Sequence, residues 1–99
     1  HSVPASLKNF IDYLNPEWHH KVAGYVGYGS LGGVRSIEHL IQIMAELRVA
    51  SIKDHIHINA IWEALDNNGT PKEGYAHGDV TAQLKELEWW AGALKTARI

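Results

Sequence analysis

The sequence predicts an α/β fold with parallel strands and crossover helices. Three observations predict it. Apolar residues recur at helical spacing in three stretches. Two short extended stretches lie between them, the first apolar on both faces, as in a strand covered by helices on both sides. The resulting order of helix, strand, helix, strand, helix calls for right-handed crossovers between parallel strands.

Each element has a local reason. Residues 4–14 form the first helix, with Pro4 suited to its first turn and Ser2 placed to cap it. Leu7, Phe10, Ile11 and Leu14 fall on one face, and Asn15-Pro16 ends the run. Val22–Val26 is the first strand. Val34–Leu47 is the strongest helix, with Ile37, Leu40, Ile41, Met44 and Leu47 as its buried stripe. Ala50–Ile58 is a second extended segment, and its alternating His55-Ile56-His57-Ile58 end suits a strand with one wet face. Asn59–Leu65 is apolar but short and fits either state. Asp66-Asn67-Asn68-Gly69-Thr70-Pro71 is a turn, and a loop follows up to Gly78. Asp79 caps a last helix over Val80–Ala97, whose inner face is Val80, Leu84, Leu87, Ala91 and Leu94 with Trp90 on the flank. Two strands are too few for an independent parallel sheet, so further strands must come from elsewhere.

Composition narrows the function classes. Ninety-nine residues make one small domain at most, and a core of that size is marginal. The 45% hydrophobic and 20% charged content is that of a soluble globular chain. A net charge of −2 without a basic patch argues against nucleic acid and anionic membranes as main partners. Without cysteine, disulfides and thiolate metal sites are excluded, and a reducing cytoplasm is the compatible compartment. No apolar run approaches the ~18 residues of a membrane span. The first residues lack both a signal-peptide pattern and an initiator methionine, as expected of a fragment or a processed or truncated chain.

The chemistry concentrates in Gly27-Tyr28-Gly29-Ser30-Leu31-Gly32-Gly33, a glycine-rich loop between the first strand and the strongest helix. A loop there offers small side chains, free backbone N–H groups and a partial positive charge. The same residues suit a plain strand-to-helix turn, since a lone glycine run is a weak motif. Arg35 sits at the end of its helix that disfavours a cation, and reads as a solvated side chain. His55 and His57 share a strand face, but no third ligand is spaced to join them, so they read as solvent-facing. Asp66–Gly69 lacks the acidic twelfth position of a calcium loop. Trp62, Trp89 and Trp90 suit core or interface. Neither a nucleophilic triad nor paired carboxylates suggest hydrolysis.

Three segments, HSVPASLKNFIDYL, KVAGYVGYGSLGGVRSIEHL and the Asp66–Gly69 turn before the closing helix, resemble the C-terminal half of the NADPH-dependent FMN reductases. The carrying matches are S-x-P-x-x-LKN (Ser2, Pro4, Leu7, Lys8, Asn9) and GG-x-R (Gly32, Gly33, Arg35), and the likeness extends over nearly the whole chain. It implies a partial, three-layer flavodoxin-like fold in which residues 1–99 are the C-terminal portion of one domain and the N-terminal half, with its phosphate loop, is missing. It implies FMN as cofactor, NADPH as co-substrate, and a quinone, azo compound or similar acceptor. Tyr28, Gly29, Ser30, Gly32 and Gly33 become the flavin-side residues, with Ser2 beside the ring, and no residue of the chain is assigned as catalytic. Arg35 would serve subunit contacts or the nucleotide phosphate. The alternative is a non-catalytic fragment that assembles into oligomers through the exposed Val22–Val26 edge.

Overall fold

The computed structural model describes residues 1–99 and contains three helices, α1 (Ala5–Asp12), α2 (Val34–Glu46) and α3 (Val80–Ala97). Its strands are β1 (Val22–Ala23), β2 (Val26–Tyr28), β3 (Ala50–Ser51), β4 (Ile56–Ile58) and β5 (Ala76–His77). β1 pairs with β3 and β2 with β4, both parallel, and β5 lies antiparallel on the outer side of β4. Parallel strands joined through α2 and flanked by helices make an α/β fold consistent with a partial flavodoxin-like architecture.

Both expected strands are broken, and one mismatch breaks them. Ile52 donates its N–H to the Ala23 carbonyl, and Ile56 donates to the Tyr25 carbonyl, each at 3.1 Å. Between these two bonds the first line advances two residues and the second advances four. Strand residues rise at nearly the same rate, so the surplus around Lys53–His55 must loop out of the ladder. The first line is therefore split at Gly24-Tyr25, and the expected Val22–Val26 strand runs on to Tyr28.

The bulge explains the chain's one buried polar side chain. Gln83 of α3 is 6% exposed. Its amide donates to the Tyr25 carbonyl at 2.9 Å and to the Asp54 carbonyl at 3.0 Å, one on each side of the break. Buried carbonyls without partners are costly, so the glutamine is held where the ladder fails. Farther along, Arg98 donates to the His20 carbonyl at 2.7 Å.

This docking corrects the expected face of α3. Val80, Leu84 and Ala91 point to solvent, while Gln83, Leu87 and Leu94 are its more buried positions. An apolar-stripe reading favours Leu84 over Gln83, and the bulge carbonyls reverse that choice. The expected helical cap at Asp79 is present, its carboxylate accepting from the Ala82 N–H at 3.1 Å. Ser2 does not cap α1; its hydroxyl pairs with His39 instead. The segment expected as loop before Gly78 contains β5, with His77 opposite His57. The Asp66 turn forms, with one carboxylate oxygen accepting from the N–H groups of Asn68 and Thr70.

The sheet has helices on both faces. A Cβ on Gly24 would lie 3.2 Å from Leu87 of α3, and one on Gly27 would lie 2.8 Å from Ile37 of α2. The main core lies on the α2 side, where Ile11, Tyr25, Ile37, Met44 and Val49 pack with half-buried Trp18 and Leu40. The expected α1 face is buried only at Ile11; Phe10 stays exposed with its ring edge-on to Trp18. Val26, expected in a strand covered on both sides, is 60% exposed. The radius of gyration is 15.0 Å, against about 13 Å for a compact domain of roughly this length. No helix is long and apolar enough to cross a membrane.

Two consequences can be measured. Gln83→Leu keeps the volume but strips a donor from two buried carbonyls, and should lower the unfolding free energy in urea by about 2 kcal/mol. Tyr25 gives a pH signature. Burial raises its pKa above the ordinary 10.0, partly offset by the hydrogen bond to Ser51. The unfolded chain therefore releases the phenolic proton first as pH rises. This contribution to stability is full below pH 10 and is lost above it. Tyr25→Phe should flatten the decline in stability above about pH 10 while costing about 1 kcal/mol at neutral pH through the lost bond.

Candidate functional site

The glycine loop leaves the end of β2 and turns back into α2. Gly33, at the helix N-cap, has φ 68°, a conformation open to glycine at little cost. A Cβ there would lie 2.9 Å from the Tyr28 nitrogen and 3.0 Å from the Gly27 Cα. The loop thus lies backbone on backbone against the strand it left. The required glycines are an internal packing device as well as a possible ligand surface.

Outside this contact is a cleft of about 370 Å³, lined by Tyr28–Leu31, Gly33–Ser36, His1 and Ser2. Its volume is within the range of about 300–1,000 Å³ usual for small-molecule sites. The N–H groups of Ser30, Leu31, Gly32 and Gly33 donate to nothing within the chain. Tyr28 and Leu31 are each 67% exposed and supply apolar surface at its rim. Arg35 is the only lysine or arginine lining the cleft, and no acidic side chain lines it. Donors, a cation and a helix N-terminus together suit an electron-rich edge or an anion, with the tyrosine ring beside it.

The far wall is held by two contacts across the first turns of α2. The Arg35 guanidinium donates to His1 Nδ1 at 2.9 Å, and Ser2 Oγ lies 2.8 Å from His39 Nδ1. These contacts bring Ser2 to the same cleft as Tyr28, Gly29, Ser30 and Gly33. Gly32 stands apart. It is buried behind the cleft wall, and its carbonyl meets His57 Nδ1 at 2.7 Å.

That contact corrects the reading of the strand histidines. His55 and His57 are half-buried, not solvent-facing, and each meets a backbone carbonyl, His55 that of Ile52 at 3.1 Å. Sequence alternation placed them on one face, but it could not show that the face lies under the glycine loop. No group of three His, Cys, Asp or Glu side chains is arranged to hold a metal.

The sequence model of the NADPH-dependent FMN reductase family matches residues 1–63. The match takes in α1, the glycine loop, α2 and β1–β4, and stops before the Asp66 turn and α3, a shorter reach than the resemblance across nearly the whole chain implied. An NAD(P)H-dependent FMN reductase of Saccharomyces cerevisiae is 44% identical over 46 residues, covering 46% of this chain and 24% of the yeast protein. The matched stretch therefore spans about a quarter of that relative's length. No solved structure matches it. The family match covers both the cleft-forming loop and the N-terminal segment that closes it, and on that ground the chain belongs to the NADPH-dependent FMN reductase family, whose members use FMN and NAD(P)H.

Proposed function

We propose that the cleft is one wall of an FMN site in a flavodoxin-like, NAD(P)H-dependent oxidoreductase acting on a quinone, an azo compound or a similar acceptor. The observation that carries the reading is the set of unpartnered amides at Ser30, Leu31 and Gly33, beside the exposed Tyr28 ring in a cleft without acids. FMN, when bound, supplies the hydride chemistry. This chain's residues bind and orient it. Ser30 and Gly33 contribute backbone donors, Gly29 permits close approach, Tyr28 covers an apolar face, Ser2 closes the rim, and Gly32 backs the wall from behind. Arg35 adds positive charge at the helix end. The donor set fits the polar edge of a flavin, which gains electron density on reduction.

The test is FMN titration followed by flavin fluorescence. Gly33→Ala forces an L residue to φ 68° and presses its Cβ onto the Gly27–Tyr28 backbone. It should cost about 1–2 kcal/mol from backbone conformation alone, and weaken FMN binding at least about tenfold, equivalent to about 1.4 kcal/mol. Gly69→Ala imposes a similar φ of 77° with nothing within 4 Å and serves as the matched control, with unchanged FMN affinity. Equal loss in both variants, or no binding by the unsubstituted chain, overturns the reading.

A second reading has its own observation. On the side away from β3 and β4, the backbone of β1 and β2 has no strand neighbour. An open edge with a 60% exposed Val26 favours pairing with a second copy across a two-fold axis. Sedimentation should then give a dimer that Val26→Lys converts to monomer; a monomeric unsubstituted chain removes this reading.

A further inference from the structure

We propose that His57 is the positioning residue of the glycine loop, setting the Gly32–Gly33 peptide so that its N–H is presented to the cleft. The ligand's identity as flavin rests on the reading above; the anchor itself does not. A carbonyl oxygen has no proton to give, so in the 2.7 Å contact His57 Nδ1 carries the hydrogen and Gly32 accepts it. All peptide bonds of the chain are trans, so the C=O and N–H of one peptide unit point in opposite directions. Drawing the Gly32 carbonyl inward toward β4 therefore turns the Gly33 N–H outward. Gly32 is buried and outside the cleft, whereas Gly33 lines it and its N–H has no partner.

The histidine is itself held in place. Register puts it opposite Gly27 on one side and His77 on the other. Its ring stands edge-on to His55, with centroids 6.0 Å apart, and His55 stands edge-on to buried Tyr25 at 5.7 Å. The neighbouring histidine uses its other nitrogen, His55 Nε2 donating to the Ile52 carbonyl. Two adjacent histidines therefore carry opposite tautomers, each fixed by a carbonyl. A loop residue at φ 70°, such as Gly32, has few intrinsic restraints on its peptide plane. A single side-chain bond to that plane decides which way its amide faces.

The experiment uses the 99-residue chain, its His57→Val and His57→Asn variants, and FMN as probe. In the unsubstituted protein at neutral pH, long-range proton–nitrogen spectra should show His57 protonated at Nδ1 and His55 at Nε2. Backbone heteronuclear NOEs over residues 30–34 should fall in His57→Val and recover in His57→Asn, whose amide nitrogen can replace Nδ1 as donor. The NOEs of α3 should not change. FMN affinity should drop about five- to tenfold in the valine variant and recover in the asparagine variant. An Nε2-protonated His57, or a loop and affinity unchanged by valine, overturns the proposal. Should the valine variant fail to fold, the tautomer and the asparagine variant still decide it. If the unsubstituted chain takes up no FMN while valine alone loosens the loop, the anchor stands and the flavin reading falls.

Discussion

The two-residue mismatch between the Ala23–Tyr25 and Ile52–Ile56 lines is the constraint on which the rest of the structure depends. It interrupts the sheet where continuous pairing would otherwise bury every carbonyl safely. It fixes α3, because the two hydrogens of the Gln83 amide serve Tyr25 and Asp54 together without burying a charge. It also fixes what happens beyond the break. Past the bulge, Gly27 pairs with His57 and Tyr28 with Ile58. A slip of one residue would exchange the faces of β4 and carry the histidine to the opposite side of the sheet from the loop. The same irregularity thus docks a helix on one face and sets the loop's support on the other.

The helices and the loop were legible because their signals are local. The helical stripe of α2, the cap at Asp79 and the turn at Asp66 depend on residues within a few positions of one another. The glycine loop was legible for the same reason: its spacing names a strand-to-helix junction. What failed depended on distant backbone. Gln83 is read as a surface residue until the carbonyls of Tyr25 and Asp54, 58 and 29 positions away, are known to flank the break in the ladder and to accept from its amide. β5 is two residues long and exists because β4 offers it an edge. Ser2 went to His39, 37 positions away, rather than to the nearest helix end.

Of the candidate site, sequence located the cleft wall but not its backing. Tyr28, Gly29, Ser30 and Gly33 meet Ser2 at one cleft. Gly32, assigned to the same surface, turns out to be the hinge between the surface and the sheet beneath it. That distinction needs the direction of a single peptide plane, which no composition or spacing encodes. A periodic pattern reports which face a side chain takes. It is silent on which way a glycine's carbonyl points, since a glycine is chosen for having no strong preference.

This silence bears on how such a loop can bind at all. The unpartnered amides of Ser30, Leu31 and Gly33 are tolerable because these residues line an open cleft, where water satisfies them at little cost. A ligand gains from them only if they already point the right way, since ordering a glycine-rich backbone on binding costs more than one hydrogen bond returns. The loop must therefore be rigid by contacts on its inner side. The Gly33–Gly27 backbone approach restrains its position, and the bond from His57 restrains its orientation. Position without orientation would leave the amides free to turn away, and orientation without position would leave them out of reach. The burial of Gly32 behind Gly33 is where the two restraints meet, one residue apart.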